Sequence, residues 1–134
     1  MALDFEAMPD VVNLQIVRGE YGGLLRSIAR AVGPLMRKLF PGVPADHPAM
    51  SAMILNIASN MLGLANAATP FGIKAMEDLD RLNPQKGTAT NAMCLFLAIN
   101  TSNVALFPLG VASLRATVGS EDPFGIWLPT LVGT

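Results

Sequence analysis

Asparagines recur inside otherwise apolar sequence: Asn56, Asn60 and Asn66 in one stretch and Asn100 and Asn103 in another, with Thr69 and Thr101 beside them. Amides and hydroxyls both donate and accept hydrogen bonds but neither shuttle protons nor attack electrophiles unaided. Their chemistry is recognition of a small polar solute or of a neighbouring helix. At about 100° per residue, Asn56, Ser59, Asn60, Gly63 and Asn66 gather within an arc of about 120°, and Ile54, Ile57, Ala58, Met61, Leu64 and Ala65 cover the remainder. An unpaired amide in hydrocarbon is costly, so this polar face is expected against protein or a wet cavity, with the apolar face free to meet lipid. Ligand contact and helix-to-helix bonding suit Asn56 and Asn60 equally, and Gly63 would let two backbones approach.

No acid–base pair, nucleophile–base pair or phosphate loop is present, so no enzyme activity is expected. His47 is the only histidine and lacks a Cys or carboxylate cluster around it, which makes it a turn or capping residue rather than a metal ligand. Cys94 is the single cysteine; it supports neither a disulfide framework nor a zinc site and is expected as a small packing residue. No cofactor is implied.

The elements that must hold these side chains are set by where charge is absent. Residues 48–73 and 87–114 contain no Asp, Glu, Lys or Arg. Each is longer than the roughly 20 residues that cross about 30 Å of hydrocarbon. The chain is 51% hydrophobic and only 14% charged, against about 25% charged in an ordinary soluble domain. Its net charge of -1 is uninformative, but no basic face interleaved with aromatics appears, which argues against nucleic acid. Both stretches read as membrane helices enclosing something polar.

Neither reads as a straight helix. Asn66-Ala67-Ala68-Thr69-Pro70-Phe71-Gly72 predicts unwinding near the end of the first. In the second, Asn100, Thr101, Ser102 and Asn103 are consecutive and cannot all hide from lipid, and Pro108 one turn later favours an opened backbone. Discontinuous helices of this kind expose backbone groups and half-helix dipoles to a substrate near the midplane. Pro70-Phe71-Gly72-Ile73 faintly repeats in Pro108-Leu109-Gly110-Val111, which would make an inverted repeat.

Ahead of the first stretch, Leu24, Leu25, Ile28, Val32, Leu35, Met36 and Leu39 mark a helix whose other side carries Arg26, Arg30 and Arg37. A basic amphipathic helix next to a span is expected in the membrane interface, and Gly33-Pro34 should kink or divide it. Pro41-Gly42-Val43-Pro44 stops it, and Asp46 can cap the next helix with Pro48 in its first turn. Residues 74–86 form a charged, partly helical connection outside the membrane. Residues 1–21, with Asp4, Glu6 and Asp10 early, do not form a signal peptide and read as loosely structured or weakly helical. Basic residues flank the first stretch on both sides, with a small bias toward a cytoplasmic N-terminal side.

Asp46-His47-Pro48-Ala49-Met50, then Asn60-Met61-Leu62-Gly63-Leu64-Ala65-Asn66-Ala67-Ala68-Thr69-Pro70-Phe71-Gly72-Ile73-Lys74-Ala75-Met76, then Phe96-Leu97-Ala98-Ile99-Asn100-Thr101-Ser102 resemble the spore maturation protein A family, bacterial membrane proteins with a nucleoside recognition or gate domain. The resemblance covers residues 23–134. It implies a multi-pass protein of the cell inner membrane, akin in domain type to the gates of concentrative nucleoside and ferrous iron transporters and linked in spore formers to dehydration of the spore core. Residues 1–22 are unlike the family, Ala65 stands where glycine is expected, and the chain stops inside Phe124-Gly125-Ile126-Trp127-Leu128, which looks like the opening of a further span.

The expected architecture is therefore all-α, with integral membrane helices interrupted at Asn, Pro and Gly and preceded by a basic amphipathic helix. The expected function is a membrane gate or permeation module for a small polar solute, a nucleoside by family resemblance alone, with Asn56, Asn60, Asn66, Thr69, Asn100, Thr101 and Asn103 lining its path. The partners are the lipid bilayer and a second copy or a related membrane protein. The alternatives are a structural membrane subunit bound to a sister spore maturation protein and a soluble helical oligomer that buries both apolar stretches between subunits.

Overall fold

A computed structural model describes residues 22–102 and 105–133. Residues 1–21, including the weakly helical expectation for them, lie outside the described residues, as does Asn103. Every regular element described is an α-helix: α1 (Gly22–Leu39), α2 (Pro48–Met61), α3 (Ala65–Arg81), α4 (Asn91–Ser102), α5 (Leu109–Thr117) and α6 (Trp127–Gly133). The all-helical expectation holds. No described helix is long and apolar enough to cross a membrane.

Both uncharged stretches are broken, as expected, but the first breaks elsewhere. Residues 66–72 remain helical within α3, and Pro70 lies inside that helix. The break falls at Leu62, Gly63 and Leu64. Gly63 adopts φ 68°, its amide donates to Asn60 O at 2.9 Å, and Leu64 N donates to Ser59 O at 2.9 Å. These are the paired bonds of a Schellman stop, in which a left-handed residue past the helix end satisfies the last carbonyls. A glycine fits because a Cβ penalises that conformation. Proline one turn into a helix forfeits a single bond, whereas this stop reverses the chain. With α2 only 14 residues long, its rise is about 21 Å, well short of about 30 Å of hydrocarbon.

Helix α2 is the centre of the core. Met50, Met53, Ile54, Leu55 and Ala58 are buried, and so are Asn56 and Ser59. Its apolar face was expected to meet lipid, but it meets α1 and α3 instead. A helix covered on all sides needs no charged stripe whether protein or lipid covers it. Charge-free sequence is thereby explained without a bilayer around α2.

Helix α1 places Leu25, Ala29, Val32 and Met36 in that core at one-turn spacing, so the apolar side assigned to the membrane interface packs on protein. Leu24, Leu35 and Leu39 remain exposed at its edge. Pro34 neither divides nor ends the helix; it faces outward, where the freed carbonyl is within reach of solvent. The cap of α2 is His47 rather than Asp46: Nδ1 of His47 accepts from Ala49 N at 3.1 Å, with Pro48 in the first turn.

Helix α3 packs Ala68, Phe71, Ala75 and Leu79 inward. Asp78 is also buried, and its Oδ1 accepts from Lys74 Nζ at 2.8 Å and Arg81 Nη1 at 2.9 Å. The charged segment is thus part of a core helix rather than a detached connection. Beyond it Asn83 builds the turn, donating to Thr88 O at 2.8 Å and accepting from Gln85 N at 3.0 Å. Helix α4 buries only Phe96, and Cys94 is exposed rather than packed.

Candidate functional site

The two helix breaks meet. Leu106 N and Phe107 N donate to Met61 O at 2.8 and 2.9 Å, and Leu109 N donates to Leu62 O at 3.3 Å. A carbonyl at the end of α2 is thereby satisfied by the open segment ahead of α5, where Pro108 occupies the N-cap position. The approach demands glycine on both sides. A Cβ at Gly63 would lie 2.6 Å from Phe107 O, and one at Gly110 would lie 2.8 Å from Gly63 O. The two Pro-x-Gly segments sit differently in their helices, Pro70 within α3 and Pro108 before α5, which does not favour an inverted repeat.

Beside this junction α2, α3 and α4 line an open cavity of about 440 Å³. Helix α2 contributes Asn56 and Asn60; α4 contributes Phe96, Leu97 and Asn100. From α3 come Ala68, Thr69, Gly72, Ile73, Met76 and Glu77, at the one-turn spacing of a single helical face. The walls are mostly apolar, with amides and one carboxylate set among them. Such a surface suits a small solute with a few directed hydrogen bonds.

The amides are held in defined orientations. Asn60 Nδ2 donates to Asn100 Oδ1 at 2.9 Å, joining residues 40 apart in sequence across α2 and α4. Asn100 Nδ2 in turn donates to Phe96 O at 2.9 Å. Asn56 Nδ2 donates to Ala68 O at 2.8 Å and ties α2 to the first turn of α3. Gly72 makes room for that amide, since a Cβ there would stand 2.9 Å from Asn56 Nδ2. Asn56 is 3% exposed, and its Oδ1 has no hydrogen-bond partner among the described residues. Leaving such an acceptor unpaired would cost about 1–3 kcal/mol.

Of the residues expected to line a solute path, the structure brings Asn56, Asn60, Thr69 and Asn100 together around one cavity. Thr101 stands apart: it is exposed, and its hydroxyl donates back to Leu97 O and Ala98 O of its own helix. Asn66 has a described helical backbone and no described side chain, and Asn103 lies outside the described residues. Sequence reasoning missed Gly72, Met76 and Glu77. The signal existed, because Thr69, Gly72, Ile73, Met76 and Glu77 follow the i, i+3, i+4, i+7, i+8 spacing of one helix face once Pro70 is placed inside the helix. Among the described residues, no group of three or more His, Cys, Asp or Glu side chains could hold a metal ion.

A family model described as nucleoside recognition, Gate, matches residues 16–118. The chain is also 44% identical over 115 residues to spore maturation protein A of Bacillus subtilis (strain 168), an alignment that covers 86% of this chain and 59% of that protein. The chain thus spans about three-fifths of the curated relative it matches. No solved structure matches it. With the family model covering most of the sequence, and the likeness to spore maturation protein A running through the asparagine-bearing segments, this chain belongs to the nucleoside recognition (Gate) family.

Proposed function

We propose that this chain is a gate-type recognition module for a small polar solute, a nucleoside in the first instance, working as part of a multi-pass protein of the bacterial inner membrane. The observation that carries the reading is the pair of amides that line the cavity from two helices, Asn60 and Asn100, held to each other at 2.9 Å beside Asn56. Hydrogen-bond recognition without catalysis fits the residue types, since the polar atoms among the asparagines are amides rather than groups that exchange protons near neutral pH. Helix breaks docked beside a cavity are also how membrane proteins admit irregular backbone, which is tolerated where protein or a cavity receives it.

Lipid or protein contact outside this cavity is supported by the last three helices. Leu95 is exposed, Val111, Leu114, Leu128 and Val132 are all more than half exposed, and α6 buries nothing. This uncovered apolar surface also favours a second reading, in which the chain is a structural membrane subunit that binds a copy of itself or a related membrane protein.

Isothermal titration calorimetry of the detergent-purified chain against nucleosides, metal ions and small polar metabolites tests the first reading, with Asn100→Ala as control. Saturable binding of a nucleoside that Asn100→Ala weakens is the expected result. Absence of binding across the set, together with co-purification of a membrane partner lost in Asn100→Ala, would replace it with the second.

A further inference from the structure

Among the described residues, Glu77 is the one ionisable group on the cavity. Helix α3 carries basic residues a turn to either side of it, Lys74 and Arg81. Both are drawn to buried Asp78, at 2.8 and 2.9 Å, through Oδ1 of that carboxylate. No basic side chain of the described residues lines the cavity. A ligand inside therefore meets the Glu77 carboxylate at one wall. An ionised carboxylate accepts hydrogen bonds and donates none.

We infer that the cavity selects solutes that carry no negative charge and present N–H or O–H donors, and that Glu77 is the residue that turns away their phosphorylated forms. This rests on the recognition reading above and narrows it to a chemical class: unphosphorylated nucleosides and similar donor-rich neutral or cationic molecules. A 5′-phosphate brings a charge of about −1.5 to −2 at neutral pH. For unit charges about 10 Å apart at an effective dielectric of about 20, repulsion lowers affinity about tenfold, and nothing cationic on the described walls offsets it.

The test compares adenosine and cytidine with their 5′-monophosphates by calorimetry on the detergent-purified chain and on Glu77→Gln. Glu77 is exposed, so the substitution should leave the melting temperature unchanged. Each nucleoside is expected to bind about tenfold or more tightly than its monophosphate, and Glu77→Gln should shrink that ratio by about threefold or more. Monophosphates binding as tightly as nucleosides to the unaltered chain would overturn the inference, and so would a ratio unmoved by Glu77→Gln; either result leaves nucleoside recognition standing. If neither nucleosides nor nucleotides bind, the nucleoside assignment itself fails and this inference falls with it.

Discussion

Replacing Gly63 with alanine should separate two costs that the helix break combines. The first is conformational: at φ 68° an L-residue is disfavoured by about 1–2 kcal/mol. The second is steric. The new Cβ would sit 2.6 Å from Phe107 O, 3.1 Å from Pro108 Cα and 3.2 Å from Leu109 N, all of them backbone atoms with no rotamer to move. Overpacking of that kind typically costs about 1–3 kcal/mol. The chain can escape it by drawing the 105–109 segment away from α2, at the expense of its bonds to Met61 O and Leu62 O, each worth about 1 kcal/mol net. Together these terms predict a loss of about 2–5 kcal/mol, a large share of the about 5–15 kcal/mol that holds a typical domain together.

Other glycines of this chain isolate the parts. Gly119 has φ 80° and no described atom within 4 Å of where an alanine methyl would stand, so Gly119→Ala reports the conformational cost alone. Gly42 has no positive φ and nothing within 4 Å, and Gly42→Ala should be near neutral. Denaturant unfolding of the variants in detergent gives the differences, and amide exchange at Leu106 and Phe107 reports whether the junction has opened. Gly63→Ala should cost about 1–3 kcal/mol more than Gly119→Ala. If the two variants agree within about 0.5 kcal/mol, the breaks are not docked as described and the junction beside the cavity does not exist.

The Asn60–Asn100 bond predicts a coupling of about 0.5–1.5 kcal/mol in a double-mutant cycle to alanine, and strict additivity would refute it. Gly72→Ala gains about 1 kcal/mol of helix propensity yet should still destabilise the chain and weaken ligand binding, because it presses on the Asn56 amide and the loss of its bond to Ala68 O costs about 1–3 kcal/mol; a more stable variant would contradict that packing. Asp80 is held below the ordinary carboxylate range chiefly by a hydrogen bond from Lys86, with help from the Lys86 charge and Asn83. Its depressed folded value means a contribution present above the unfolded carboxylate range and lost as pH falls through the folded value, so the melting difference between the unaltered chain and Lys86→Met should close in acid. A difference constant from neutral pH to pH ~2 would dismiss the pair.

Helix content, the amphipathic α1 and the opening ahead of Pro108 were legible from spacing and punctuation alone. So was the clustering of Asn56 and Asn60 on one face, because side-chain direction along a helix follows from a fixed rotation per residue. The position of the first break was also written locally, in Gly63 followed by Leu64, but the more conspicuous Pro70 pointed about two turns too late. The surroundings of α2 were another matter. A helix without charges reads alike in lipid and in a protein core, since both media penalise the same groups. Only long-range packing placed α1 and α3 around it.

The site divides along the same line. Amide and hydroxyl chemistry belongs to the residue types, and the sequence by itself identified Asn56, Asn60, Thr69 and Asn100 as candidates. Tertiary structure decided that Asn60 meets Asn100 across 40 positions, that Thr101 turns back on its own helix, and that Glu77 joins the cavity while Asp78 beside it is buried with Lys74 and Arg81. Local spacing specifies which way a side chain points from its own axis; what it finds there depends on the docking of distant segments, here through two breaks whose glycines allow backbone to touch backbone.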